Sequence, residues 1–305
     1  STTDQAASSW KGSSPPKSSS ESMQKIDRLR QDRAQQHGID VKRLVDVVQL
    51  GKQALLMERE KRAHPLLDDK VLSSWNGMML RSFAEAGAAL QRQDYLDAAI
   101  KNAGFLLKTM RPDERLLRTY RAGQAKLPGF LEDYSFVADG LLALYEATFD
   151  RQWLTASVEL ADRMIELFWD DSVGGFYDTS AEHDQLVVRP RDVLDNAQPC
   201  GGSVATDVLL KLAVITGNEE YRVKAATPLR TLKELMARAP AGTGHWLAAL
   251  DFYTSALKEV VIIGPQGEPG TAALLQAVNG KFHPNKVLVG ADGEGDHGLP
   301  LLESR

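Results

Sequence analysis

The sequence predicts a mainly α-helical protein assembled from tandem αα-hairpins and finished by a small βαβ-like element. Three observations carry that reading. Apolar residues recur at helical spacing from Met23 to about residue 258. Three helix–helix junctions repeat one pattern, a short polar turn followed by an aromatic and then alanines. After residue 258 the periodicity changes, and β-branched runs flank one short helical stretch.

Residues 1–22 are rich in Ser, Pro and Lys, with the single aromatic Trp10. Such a segment buries too little apolar surface to offset its ordering entropy and reads as a disordered tail. The helical-hairpin region spans 23–258. Its first clear face is Val41, Leu44, Val45, Val48 and Leu55, on a helix that ends near Arg62 before Pro65. Helices follow at about 73–90, 94–110, 131–148, 152–168, 202–215, 219–238 and 246–257.

The repeated junctions read Asp94-Tyr95 with Ala99 and Ala103, Gln152-Trp153 with Ala156 and Ala161, and Glu220-Tyr221 with Ala225. Each aromatic opens the second helix of a pair, and the alanines let that helix approach the first. The aromatics lie 58 and 68 residues apart, counting from 95 to 153 to 221. That is too long for a solenoid repeat of about 34 residues. It suits hairpins separated by long loops. Those loops, 111–130 and 169–195, carry Gly, Pro and short β-like runs at 117–120 and 186–189, and loops of this length commonly line a site. The last element, 259–305, has β-like runs at 259–264 and 286–290 around a helical stretch at 271–279. Such a unit is too small to be stable alone.

Composition narrows the function classes. The chain has 305 residues, 43% of them hydrophobic, enough for a large core. A net charge of −5 and a pI near 5.7 offer no broad basic face, so nucleic acid is not an expected partner. No run approaches the roughly 18–20 apolar residues of a membrane span. The single cysteine, Cys200, excludes an internal disulfide and fits a reducing compartment, so a cytoplasmic location is expected. None of the six histidines forms an H-x-x-x-H or H-E-x-x-H pair, so no metal is expected. No Walker motif or nucleophile elbow is present, and no cofactor is called for.

Four ordered phrases carry a family resemblance. They are Asp68-Asp69-Lys70-Val71-Leu72-Ser73-Ser74-Trp75-Asn76-Gly77, Gly129-Phe130-Leu131-Glu132-Asp133-Tyr134, Trp169-Asp170 with Gly174-Gly175-Phe176-Tyr177, and Arg189-Pro190-Arg191-Asp192 followed by Asp195-Asn196-Ala197. Over roughly residues 35–300 the chain resembles the spermatogenesis-associated, thioredoxin-domain-containing proteins found from bacteria to animals. The resemblance implies an α/α-toroid similar to the N-acylglucosamine 2-epimerase and six-hairpin glycosidase folds, preceded in that family by a thioredoxin-like domain with a Cys-x-x-Cys motif. The sequence departs from the family in four ways. No Cys-x-x-Cys precedes residue 35, and about eight helices are legible where six hairpins need about twelve. Pro199-Cys200-Gly201-Gly202-Ser203 stands where the family has Pro-Ser-Gly-Asn-Ser, and the chain stops at Arg305, earlier than the family implies. The expectation is an incomplete ring, one piece of a split or fragmentary protein, with a second chain supplying the missing hairpins and a thioredoxin-like domain.

Several residues then stand as candidates for chemistry, each with a structural alternative. Asp68 and Asp69 precede the helix at Ser73, where they can handle sugar hydroxyls or simply cap the helix. Trp75 and Asn76 suit a sugar platform or a helix core. Glu132, Asp133 and Tyr134 open another helix, and successive residues there lie about 100° apart, so at most two face one cavity. Asp69 paired with Glu132 or Asp133 would make an acid/base pair from different helices. Asp195 and Asn196 lead through Gly201-Gly202 into a helix N-terminus, where Cys200 could have a lowered pKa. His245, beside Trp246 at the start of a late helix, could project into a ring and transfer protons, and Tyr177 joins the cavity lining. The functional expectation is a carbohydrate-binding or carbohydrate-processing toroid with Asp69, Glu132, Asp133 and His245 as catalytic candidates and a sugar as ligand. The alternative is a non-enzymatic subunit that completes a toroid with the partner chain.

Overall fold

Helical periodicity in the sequence becomes helices at nearly the same residues. A computed structural model describes residues 19–303 except 182, 184–187, 266 and 292–297. It divides into two compact units that meet between Asp68 and Asp69. In the first, α1 (Ser19–Gln36) packs on α2 (Val41–Arg59). Asp40 caps α2 by accepting from the Arg43 N–H at 2.8 Å. Helix α1 begins inside the 1–22 stretch read as a tail; the rest of that stretch, Trp10 included, lies outside the described residues.

The second unit holds the hairpins. Its helices are α3 (Ser73–Leu90), α4 (Gln93–Lys108), α5 (Leu131–Thr148), α6 (Arg151–Phe168), α7 (Gly201–Thr216), α8 (Glu219–Thr231), α9 (Lys233–Arg238) and α10 (Gly244–Thr254). Helix α5 packs between α3 and α7, and α7 packs in turn on α10. Helices α4, α6 and α8 lie outside α3, α5 and α7 respectively. This alternation of inner and outer helices is the α/α-toroid arrangement, and it explains the burial. Inner helices α5 and α7 are covered on almost every face and are apolar nearly all round. Outer α6 is amphipathic, with Trp153, Leu160 and Met164 turned inward. The expected helix at 219–238 is interrupted at Leu232, whose φ of −91° and ψ of 6° leave the helical range, so that α8 ends at Thr231 and α9 begins at Lys233.

The repeated junctions become the tight turns between inner and outer helices. Gln91, Phe149 and Gly217 end α3, α5 and α7 in left-handed conformations with φ of 53°, 53° and 69°. Asp150 and Asn218 then cap α6 and α8. Where inner helices cross most closely, glycines face each other. A Cβ on Gly77 of α3 would stand 2.5 Å from the Phe136 carbonyl carbon, and one on Gly140 of α5 would stand 2.6 Å from the Gly77 oxygen.

Short strands decorate this frame. β1 (Val71–Leu72), β2 (Leu117–Arg121) and β3 (Gln124–Pro128) form an antiparallel sheet beside the start of α3. β4 (Trp169–Asp170) pairs with β5 (Gly175–Phe176). The β-like run expected at 186–189 falls partly outside the described residues, and Val188 and Arg189 lie in no strand.

The expected C-terminal βαβ element is present. β6 (Lys258–Ile263) runs parallel to β7 (Lys286–Ala291), with α11 (Pro269–Asn279) between them in sequence. It docks on the inner helices. Val287 and Val289 are fully buried in the main core, each stabilising the docking by about 1.5–3 kcal/mol. Phe149 nests with Ile262 and Leu288, and the Leu288 N–H donates to Glu146 at 2.9 Å.

Candidate functional site

Two clusters of polar residues sit on the inner helices, one at their N-terminal rim and one about two turns deeper. The rim contains most of the residues that the sequence singles out. Asp133 is fully buried at its centre. Its carboxylate accepts from the Ser74 N–H of α3 at 2.9 Å, from the Phe130 N–H at the start of α5 at 2.9 Å and from Arg118 of β2 at 3.0 Å. Burial pushes this carboxyl up to about 6, against the pull of Arg118 and the two backbone donors. Glu132 meets the same Arg118 at 2.8 Å and accepts from Gln198 at 2.9 Å. Gln198, which the sequence did not flag, accepts in turn from the exposed Trp75 indole at 3.2 Å.

The other rim candidates are occupied in holding the backbone. The Tyr134 hydroxyl accepts from the Leu116 N–H at 3.0 Å, and Asn76 donates to the Leu72 carbonyl at 2.8 Å. Asp195 accepts from the Cys200 N–H and the Ser203 hydroxyl, both at 2.9 Å, and from the His245 N–H at 2.8 Å. It thereby caps α7 and α10 at once. The Asn196 N–H donates to the Gln198 carbonyl at 3.0 Å. Tyr177 stacks beneath the Arg189 guanidinium, 4.4 Å from its ring centre. Cys200 does not gain the lowered pKa that a helix terminus can give, because burial pushes the thiol up to about 11.

Asp69 stands apart from these residues. It pairs with Arg121 and lines a surface cavity of about 490 Å³ along β2 and β3, which neither Glu132 nor Asp133 lines. The structure therefore does not bring the proposed Asp69–Glu132 pair together. Asp68 is exposed at the end of the first unit.

The deeper cluster draws one or two residues from each inner helix. Arg81 of α3 meets Asp139 of α5 at 2.7 Å and lies 3.9 Å from Asp207 of α7. Lys211, one turn beyond Asp207, pairs with it at 2.8 Å and approaches Asp139 at 3.9 Å. His245 of α10 completes the group, its Nε2 standing 4.0 Å from the Asp207 carboxylate. That nitrogen is buried and has no hydrogen-bond partner. Burial pushes the Asp207 carboxyl up, but Lys211, His245 and Arg81 together hold it below its ordinary value. Two cations thus balance two carboxylates beside one imidazole.

This cluster borders a cavity of about 780 Å³ between the inner helices and the α11–β7 connection. Arg81, Glu85, Asp207, Lys211 and His245 line it from the helices, and residues 279–286 line it from the βαβ element. Of its charged residues the sequence singled out only His245. The signal for the others was a charge inside an otherwise apolar helix, as in Phe136-Val137-Ala138-Asp139 and the Asp207/Lys211 pair at i, i+4. Among the described residues no group of His, Cys, Asp and Glu is arranged to hold a metal ion, and no helix is long and apolar enough to cross a membrane.

Comparison with known proteins adds a relationship. No protein-family model matches the chain. Human spermatogenesis-associated protein 20 is 36% identical over 272 residues, covering 86% of this chain and 35% of the human protein. The mouse protein of the same name is 37% identical over 286 residues, covering 89% of this chain and 36% of its own length. Among solved structures, cellobiose 2-epimerase from Bacillus thermoamylovorans B4167 superposes with a TM-score of 0.45 at 13% identity, over 55% of this chain and 46% of that one. The GH76 α-mannanase BT2949 of Bacteroides thetaiotaomicron gives 0.49 at 18% identity, over 76% and 66%. The chain spans about a third of the length of the curated relatives it matches. Over most of its own length it is homologous to spermatogenesis-associated protein 20.

Proposed function

We propose that the cavity on the inner helices binds a sugar and that the chain is a carbohydrate-binding or carbohydrate-processing domain. The observation that carries this reading is the placement of His245, with its unpartnered buried Nε2 4.0 Å from Asp207, on a cavity lined by both cations and carboxylates. Sugar hydroxyls donate and accept together, so they match walls that offer acceptors at Glu85, Asp207 and Asp251 and donors at Arg81 and Lys211. A phosphate would favour cations alone, and a lipid would favour an apolar lining. A volume of about 780 Å³ is ample for one or two sugar rings. An imidazole beside a carboxylate is an arrangement that moves protons, either at a carbon next to a carbonyl or at a leaving oxygen. Asp207 would orient that imidazole, and Lys211 and Arg81 would keep Asp207 ionised. The resemblance to toroids of the N-acylglucosamine 2-epimerase and six-hairpin glycosidase type points to the same ligand class.

Calorimetric titration with glucose, mannose, N-acetylglucosamine and cellobiose tests binding. Proton NMR in D₂O, following exchange at the sugar carbons and cleavage of the disaccharide, tests chemistry. The wild-type chain is expected to bind at least one of these sugars. His245→Gln should keep that affinity within a few-fold while slowing any turnover by about 10²-fold or more. Failure of every sugar to bind, or turnover unchanged in the variant, would remove the proposal.

A further inference from the structure

Phe282 is the most exposed large apolar side chain of the second unit among the described residues, at 91% of its maximum accessibility. It is also one of the residues that line the 780 Å³ cavity. Exposing a whole phenyl ring contributes nothing to folding, and single exposed apolar residues ordinarily need no explanation. Two features set this one apart. Its position is at the mouth of the cavity whose charged lining is described above. In addition, the chain on either side of it is pinned. Lys286 donates to Asn279 at 3.1 Å, Lys258 donates to the Pro284 carbonyl at 3.1 Å, and Asn285 donates to Asp251 of α10 at 2.8 Å. The ring is therefore carried on an anchored frame, and its exposure is not that of a loose loop tip.

We infer that Phe282 is the stacking platform of the cavity, presenting its face to the apolar C–H face of a pyranose ring whose hydroxyls reach Arg81, Glu85 and Lys211. The aromatic face is the negative part of the ring quadrupole, so it attracts the weakly positive C–H groups that a pyranose exposes on one side. Charged walls read hydroxyls, while an aromatic lip reads ring shape, and the two together discriminate a cyclic sugar from a flexible polyol. This assignment rests on the sugar-binding reading above and adds to it the residue that selects a ring. It also gives the βαβ element a role, since β6, α11 and β7 hold the segment that carries Phe282.

Calorimetric titration with glucose, cellobiose and the open-chain polyol sorbitol tests the assignment, using the full chain and the variants Phe282→Ala, Phe282→Leu and Phe282→Tyr. Unchanged thermal melting confirms that the variants fold, as expected for so exposed a side chain. Phe282→Ala should weaken the cyclic sugar roughly 2- to 12-fold, the range of a single aromatic contact. Phe282→Leu should lose as much, because it keeps apolar bulk without a ring, whereas Phe282→Tyr should bind as the wild type does. The preference for cyclic sugar over sorbitol should shrink by the same factor in the Ala and Leu variants. If wild-type protein binds sugar and Phe282→Ala binds it equally well, or Leu and Tyr behave alike, the platform is refuted while the cavity reading stands. If the wild type binds none of the sugars, both fall.

Discussion

Asp133 offers a test of what its rim motif does. Its carboxylate is fully buried with three donors directed at it, yet burial outweighs them and raises the carboxyl from 3.8 to about 6. The native state therefore binds a proton at this site more tightly than the unfolded chain does. For a carboxyl raised in this way, the stabilising contribution is fully present below the unfolded value and is lost as pH rises through the folded one. A difference of about two pH units corresponds to about 3 kcal/mol, spent between roughly pH 4 and pH 6. Asp133→Asn, which stays neutral, isolates this effect from every other titrating group. Urea denaturation of wild type and variant at intervals from pH 4 to pH 7.5 gives the difference directly. The wild type's advantage over the variant should be largest near pH 4 and should shrink by about 3 kcal/mol by pH 7. Should the advantage instead grow with pH, the Arg118 ion pair would outweigh desolvation and the argument would be wrong.

Two further expectations concern packing and reactivity. Gly77→Ala places a Cβ against the backbone of Phe136 at 2.5 Å, where no side chain can give way. It should cost at least about 1–3 kcal/mol in denaturant midpoint analysis, and stability equal to wild type would show that α3 and α5 can separate freely. The Cys200 thiol, buried and pushed up to about 11, should react with iodoacetamide at pH 8 far more slowly than the same thiol in urea. Equal rates would show that the start of α7 is open to solvent.

How much of this was legible in the sequence follows from the range of each signal. The inner and outer helices were readable because their apolar spacing is local. The Tyr95, Trp153 and Tyr221 junctions marked the outer-helix starts because turn and cap must both be satisfied within a few residues. The break at Leu232 was missed because Leu232 is itself a good helix former and nothing local in the sequence marks it as an end. The rim acids were conspicuous as clusters in the sequence, and they proved to be engaged in holding the frame, Asp133 and Asp195 mainly with backbone N–H groups and Glu132 with Arg118 and Gln198. Arg81, Asp139 and Asp207 were passed over because none of them belongs to a dense run of charged residues. From Arg81, Asp139 lies 58 residues away and Asp207 lies 126 away, and only the packing of α3, α5 and α7 brings them to one another.

The two clusters are nevertheless one construction. Asp133 ties the starts of α3 and α5 to each other, and Asp195 ties the starts of α7 and α10. Arg81 and Asp139 each lie eight residues beyond the first residue of their helices, 73 to 81 and 131 to 139, while Asp207 lies six beyond Gly201. At about 1.5 Å per residue, aligned helix starts place these charges about 9–12 Å below the rim, in one layer. A shift of α5 by a single residue would carry Asp139 out of reach of Arg81, because a 1.5 Å slide comes with about 100° of rotation. The rim motifs thus fix the depth and facing at which the charged layer assembles. Asp195, whose second oxygen receives the His245 N–H, sets where the imidazole enters that layer.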